Sequence, residues 1–201
     1  MPRFSINQYE LYYELWGNEN HPKLFFLHGF MGSLDDFKTI IEILGNQFCC
    51  LLIDLPGHGQ TQLLAPDLSD GIHEIAESLM AFLTHLHFTH SHLIGYSMGG
   101  RLALYLACRF PEQFKSVSLE SASPGLATAP ERCQRQQKDE QLAIQLETSS
   151  WPSFLSQWYE QPIFETLRRH PNFGLLLERR SQNRPEELAQ VLRKWGTGHQ
   201  P

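Results

Sequence analysis

Apolar and polar positions alternate along the chain in short blocks that change period. Gln8 to Trp16 is aromatic-rich and near-alternating, the pattern of a strand or hairpin arm, and a turn follows at Gly17-Asn18-Glu19-Asn20. Lys23 to Leu27 and Phe48 to Leu55 are continuous apolar runs that end in His28-Gly29 and Pro56-Gly57. Such runs suit strands buried on both faces of a parallel sheet. Leu34, Phe37, Ile40, Ile41 and Leu44 recur at helical spacing and predict a helix over 34–44. A longer helix is expected after Ser69 or Asp70 as N-cap, with Ile72, Ile75, Ala76, Leu79, Phe82, Leu83 and Leu86 on one stripe. His92 to Gly95 then reads as a strand, Met98 to Phe110 as a helix and Ser116 to Leu119 as a strand. Strand and helix in turn predict an α/β fold with a mostly parallel sheet and right-handed crossovers.

After Pro124 the strand signal stops. From Pro130 to Trp195 only helical patterns remain, rich in Gln, Arg and Glu and interrupted at Pro152, Pro162, Pro171 and Pro185. The expected organisation is a sheet-bearing core over 1–125, a helical lid over 126–195 and a connection at 196–201 that would lead to a further strand.

Composition narrows the function classes. The 201 residues carry 22 acidic and 16 basic side chains, a formal charge of −6, with no basic run, which disfavours nucleic acid as a partner. No apolar stretch approaches the roughly 18–20 residues of a membrane span, and the first residues lack the apolar core of a secretory signal. A cytoplasmic protein is expected, its oligomeric state open. Cys49, Cys50, Cys108 and Cys133 form no C-x-x-C pair, so reduced, mostly buried thiols are expected and no zinc site.

The candidate chemistry centres on Gly95-Tyr96-Ser97-Met98-Gly99, a G-x-S-x-G match that arises by chance about 0.07 times in a chain of this length. It falls between an expected strand and an expected helix, a turn so sharp that Ser97 is pushed outward at the top of the sheet. The histidines 85, 87, 90 and 92 lie near a helix end without supporting carboxylates or cysteines, and a structural role is expected for them rather than a metal site. Asp54 and His58 sit in a Pro-Gly turn, where a satisfied buried aspartate is the simpler expectation.

These motifs resemble the α/β-hydrolase superfamily. In that fold the loop His28-Gly29-Phe30-Met31-Gly32 would supply one oxyanion donor, the Phe30 N–H, and Met98 the other, while His28 belongs to the turn. A narrower resemblance rests on Gly95 to Arg101, Glu120 to Leu126, Glu131 to Arg135, Trp158 to Phe164 and Arg179 to Asn183. Together these blocks are similar to the 2-succinyl-6-hydroxy-2,4-cyclohexadiene-1-carboxylate synthases, lyases of menaquinone and phylloquinone biosynthesis. The resemblance implies that Ser97 abstracts a ring proton and starts the elimination of pyruvate from a polycarboxylate. It implies that Arg101, Arg135 and Arg180 bind the substrate, that Tyr96, Trp158 and Tyr159 line the pocket, and that neither cofactor nor metal takes part. Independently of any family, guanidinium groups suit bidentate carboxylate binding, and Arg101 stands one helical turn from Ser97. Arg132 and Arg179 are not expected to take part.

In the family the acid and the histidine that activate the serine follow the lid. This sequence offers neither: His199 is poorly placed, and Glu120 would still need a histidine partner. The expectation is therefore a chain lacking the last two strands, with the Val117 strand as a bare sheet edge, a tendency to aggregate and little turnover. A serine carboxylesterase or thioesterase, and a non-catalytic polycarboxylate-binding protein, remain as alternative readings.

Overall fold

The computed structural model describes residues 2–65, 68 and 71–201. Among the described residues seven strands form one sheet: β1 (Arg3–Ile6), β2 (Tyr9–Trp16), β3 (Lys23–Leu27), β4 (Cys49–Ile53), β5 (Gln62–Leu63), β6 (Ser91–Tyr96) and β7 (Phe114–Glu120). Their order is β1-β2-β4-β3-β6-β7, with β5 paired to β2. The pairs β4·β3, β3·β6 and β6·β7 are parallel, and the N-terminal pairs are antiparallel. The mostly parallel α/β architecture follows from the apolar runs, because β3 and β4 are buried almost throughout.

Alternation within those runs feeds two layers. Phe25, Leu27, Leu51, Ile53 and Leu93 face the helices α2 (Ile72–His85) and α3 (Met98–Arg109). Leu24, Phe26, Cys50 and Leu52 face Leu34, Phe37 and Ile41 on the other side. Each fully buried Leu or Phe contributes about 1.5–3 kcal/mol of transfer free energy, so these layers dominate stability.

Several expectations are corrected. The helix over 34–44 is a 3₁₀ turn at Leu34–Phe37 followed by α1 (Lys38–Leu44). The Leu34 N–H at the start of that turn, which has no acceptor within the helix, donates to Asp54 Oδ1 at 2.7 Å. Ser69 and Asp70 lie outside the described residues; α2 begins after Gly71, whose N–H donates to Glu74 Oε2 at 2.9 Å. Strand β1 was not expected. Cys49 and Cys50 are buried, but Cys108 and Cys133 are exposed, because each falls on a polar helix face; all four are free.

Residues 129–195 are helical: α4 (Ala129–Thr148), α5 (Trp151–Glu160), α6 (Glu165–Arg168), α7 (Phe173–Arg180) and α8 (Pro185–Trp195). Pro130, Pro152 and Pro185 sit in the first turn of α4, α5 and α8, where a missing N–H costs nothing, so these prolines start helices as well as separating them. The helices share a cluster of Ala143, Leu146, Phe154, Leu155, Tyr159 and Leu188 that also takes in Met31 from the core. Arg193 of α8 adds a polar clamp by gripping Glu140 and Glu147 of α4. Among the described residues no helix is long and apolar enough to cross a membrane.

Candidate active site

Ser97 stands between β6 and α3 with φ 52° and ψ −112°, a conformation L-residues rarely adopt. Its N–H donates to Glu120 O at 2.8 Å, which pins the bend to the end of β7. The flanking glycines have specific causes. A Cβ on Gly99 would lie 2.2 Å from Leu27 O, and one on Gly95 would lie 2.6 Å from the Gly100 Cα. Only glycine lets the start of α3 rest on the ends of β3 and β6.

The His28–Gly32 loop packs against this bend. A Cβ on Gly29 would lie 2.8 Å from the Tyr96 ring and 3.3 Å from Ser97 Cβ. Asn183, from the segment after α7, fixes the loop by donating to Met31 O at 2.8 Å and accepting from the Gly59 N–H at 3.0 Å. His28 is wholly buried: Nδ1–H donates to Gly29 O at 2.8 Å and Nε2 accepts from Leu55 N–H at 2.9 Å. Both nitrogens are thus engaged, and burial drives its pKa down to about 3. It is a structural imidazole, as its place in the turn suggests.

Asp54 accepts from the Leu34 and Gln60 N–H groups, each at 2.7 Å, while burial pushes its carboxyl up to about 6. Burial likewise holds His58 well below the usual imidazole range, with Nδ1–H on Pro56 O at 3.0 Å. This pair builds a turn. The histidines around the end of α2 disperse: the His85 ring lies tilted against Phe4 with centroids 4.5 Å apart, and His92 Nδ1 meets Ser116 Oγ at 2.8 Å. Among the described residues no three His, Cys, Asp or Glu side chains gather to hold a metal ion.

Two cavities meet at Ser97, with Phe30 and Trp158 in the wall of both. The first, about 380 Å³, holds Met98, Arg101, Ser123, Arg135 and Trp195. The second, about 350 Å³, holds Tyr96, Glu120, Tyr159, Arg179, Arg180 and Asp36. The residues expected from sequence are therefore brought together around the serine, but in two lobes.

In the first lobe Arg101 is mostly buried. Its Nη1 donates to Trp195 O at 2.9 Å and lies 3.5 Å from Gln200 Oε1, both neutral acceptors. Burial, then the neighbouring Arg135, lowers its pKa to about 10. Asp139 offsets part of that shift, and a part-buried guanidinium whose hydrogen bonds go to neutral oxygens is suited to an anion. Arg135 is half-exposed and donates from Nε to Asp139 Oδ1 at 2.8 Å.

In the second lobe Arg180 is buried, and its two Nη groups donate to the two Asp36 oxygens at 3.1 and 2.8 Å. Its Nε donates to Tyr159 Oη at 3.3 Å. Sequence reasoning missed Asp36 and set Arg179 aside, yet Arg179 borders this lobe with Nη2 at 3.6 Å from Asp36 Oδ1. It missed Gln200 as well, whose amide bridges Arg101 and Ser123 O. These partners lie far apart in sequence, and no local signal marks them.

A family model described as the alpha/beta hydrolase fold matches residues 22–168. The chain belongs to the α/β-hydrolase fold family. Among its relatives, the 2-succinyl-6-hydroxy-2,4-cyclohexadiene-1-carboxylate synthase of Escherichia coli O1:K1 / APEC is 32% identical over 185 residues, 92% of this chain and 71% of that protein. The enzyme of the same name from Shigella dysenteriae serotype 1 (strain Sd197) matches to the same extent. The solved structure of MenH from S. aureus superposes with a TM-score of 0.84 at 30% identity, covering 98% of this chain and 73% of that one. An enol-lactonase from Burkholderia xenovorans LB400 shares the hydrolase fold alone, with a TM-score of 0.79 at 19% identity. The similarity to these family members supports an enzyme.

Proposed function

We propose that this α/β-hydrolase-fold protein is a carbon–oxygen lyase of menaquinone or phylloquinone biosynthesis. It eliminates pyruvate from 2-succinyl-5-enolpyruvyl-6-hydroxy-3-cyclohexene-1-carboxylate. The observation that carries this reading is Arg101, a part-buried guanidinium whose hydrogen bonds go to neutral oxygens, one turn from a strained serine.

Arg101 and Arg135 grip carboxylate of the substrate from one lobe. Tyr96, Trp158 and Tyr159 enclose the ring, and Arg180 reaches it from the other lobe with the N–H groups that Asp36 and Tyr159 leave free. Ser97 Oγ takes a ring proton as general base. The electron pair from that C–H bond moves into the ring as the C–O bond to the enolpyruvyl group breaks, and the departing enolate takes up a proton to become pyruvate. The N–H groups of Phe30 and Met98, at the loop and the start of α3, face the charge that develops on oxygen. No acyl-enzyme forms.

A serine hydroxyl needs an activating base to act at neutral pH. Among the described residues His28 is the only histidine lining either lobe, and both its nitrogens are engaged; His58, whose Nε2 has no hydrogen-bond partner, is buried outside both lobes, and His199 is exposed and lines neither. A polypeptide of these 201 residues should therefore release pyruvate slowly.

The second lobe favours one other reading, since Phe37, Ile40, Phe164, Leu167 and Leu176 could receive the acyl group of an ester. Two assays separate them. The lyase reading expects pyruvate release that Ser97→Ala abolishes, with no labelling by a serine-directed phosphonate during turnover. Rapid hydrolysis of small esters through a trapped acyl-serine, without pyruvate release, would establish the esterase instead.

A further inference from the structure

The two lobes that meet at Ser97 differ in charge. Arg101 and Arg135 line the first; Asp139 holds Nε of Arg135 at 2.8 Å, while the hydrogen bonds of Arg101 among the described residues go to neutral oxygens. The second is lined by Arg179 and Arg180 but equally by Asp36 and Glu120. Asp36 is decisive because its two oxygens fill the fork of Arg180 at 3.1 and 2.8 Å, with Arg179 Nη2 at 3.6 Å. The Arg180 side chain is 9% exposed and that of Asp36 20%, so the two form a mostly desolvated bidentate pair. A carboxylate arriving at Arg180 would meet a guanidinium already neutralised and the charge of Asp36 beside it.

We infer that Asp36 is a specificity-determining residue: by occupying the fork of Arg180 it makes the second lobe electrically neutral. An anionic ligand then seats its carboxylate on Arg101, beside the Nη groups of Arg135 that Asp139 leaves free, and presents an uncharged part to Arg180. That part is a ring edge, hydroxyl or carbonyl, suited to the remaining N–H donors and to the apolar wall of Phe37, Ile40 and Phe164. This inference rests on the polycarboxylate reading of the pocket. It divides the pocket unevenly, whereas family resemblance alone treats the three arginines as equivalent grips.

Calorimetric titration with benzoate and with benzene-1,3-dicarboxylate tests it, on the wild-type protein and on Asp36→Asn, Arg180→Gln and the double variant. Asp36→Asn frees one cation, so the preference for dicarboxylate over benzoate should rise about fivefold, as expected of one partly screened charge. Arg180→Gln leaves Asp36 unopposed and should weaken dicarboxylate binding by a similar factor. The double variant removes both charges and should return to within about twofold of wild type. A double variant as weak as Arg180→Gln, or an Asp36→Asn protein with unchanged preference, would overturn the inference and make Arg180 a direct carboxylate grip. Melting temperatures accompany each titration, and should the amide forms not fold, Asp36→Leu with Arg180→Met repeats the double comparison without an unpaired buried charge. Wild-type protein that binds neither probe overturns the pocket reading itself, and this inference with it.

Discussion

Ser97 holds its hydroxyl in place at a cost to the backbone. A non-glycine residue at φ 52° and ψ −112° carries about 1–3 kcal/mol of strain, which the packing of Gly95, Gly99 and Gly100 enforces. Ser97→Gly relieves that strain and should raise stability by about 1 kcal/mol in urea denaturation while removing the reacting group. Ser97→Ala keeps the Cβ and should stay within about 0.5 kcal/mol of wild type. Equal stability of the two variants would mean that the bend stores no strain. At this scale the serine, its glycines and Arg101 were legible because they sit within seven consecutive residues, Gly95 to Arg101. Asp36 was not, because the bond that gives it meaning joins it to a residue 144 positions away.

Helix α3 owes its place to closeness rather than to propensity. A Cβ at Gly99 would meet the carbonyl oxygens of Leu27 and His28 at 2.2 and 2.4 Å, and neither backbone atom can give way cheaply. Gly99→Ala should therefore cost about 2–4 kcal/mol or prevent folding, with the loss read as a lowered denaturation midpoint. Gly174 in α7 offers the contrast, since a Cβ there meets nothing within 4 Å. Gly174→Ala should be neutral or stabilising by about 0.5 kcal/mol. The strands and helices of the core were readable because period 2, continuous apolar runs and period 3.6 each imply one way of burying side chains. The 3₁₀ turn at Leu34–Phe37 was hidden, because the i, i+3 spacing of Leu34 and Phe37 fits a 3₁₀ turn as well as an α-helix.

Across the whole molecule, burial of neutral imidazoles links the fold to pH. In the unfolded chain His28 takes up a proton near pH 6.5, but in the fold it stays neutral down to about 3, and His58 resists protonation in the same way. The unfolded state then binds more protons below pH 6.5, so this stability is full above that value and is lost as pH falls. Asp54 opposes the trend, since its carboxyl is raised from 3.8 to about 6 and the fold takes its proton first. Two groups outweigh one, and the urea midpoint should fall between pH 7 and pH 5; a flat profile would show that the imidazoles are hydrated.

The sheet adds a second global property. Among the described strands β7 pairs only with β6, and Leu119 on it is 43% exposed. A polypeptide of these 201 residues should self-associate along that edge as concentration rises, and Leu119→Lys should reduce its light scattering. Monomeric behaviour of both proteins to high concentration would contradict this.

The central claim is that a part-buried guanidinium beside Ser97, hydrogen-bonded only to neutral oxygens, makes this cavity an anion site. Calorimetric titration of benzene-1,3-dicarboxylate into wild-type protein and Arg101→Met tests it most directly. Removing Arg101 should weaken binding by about tenfold or more, roughly the 1.5–3 kcal/mol of a charge-assisted hydrogen bond, while leaving the melting temperature unchanged or higher. Equal affinity in the two proteins would contradict the account.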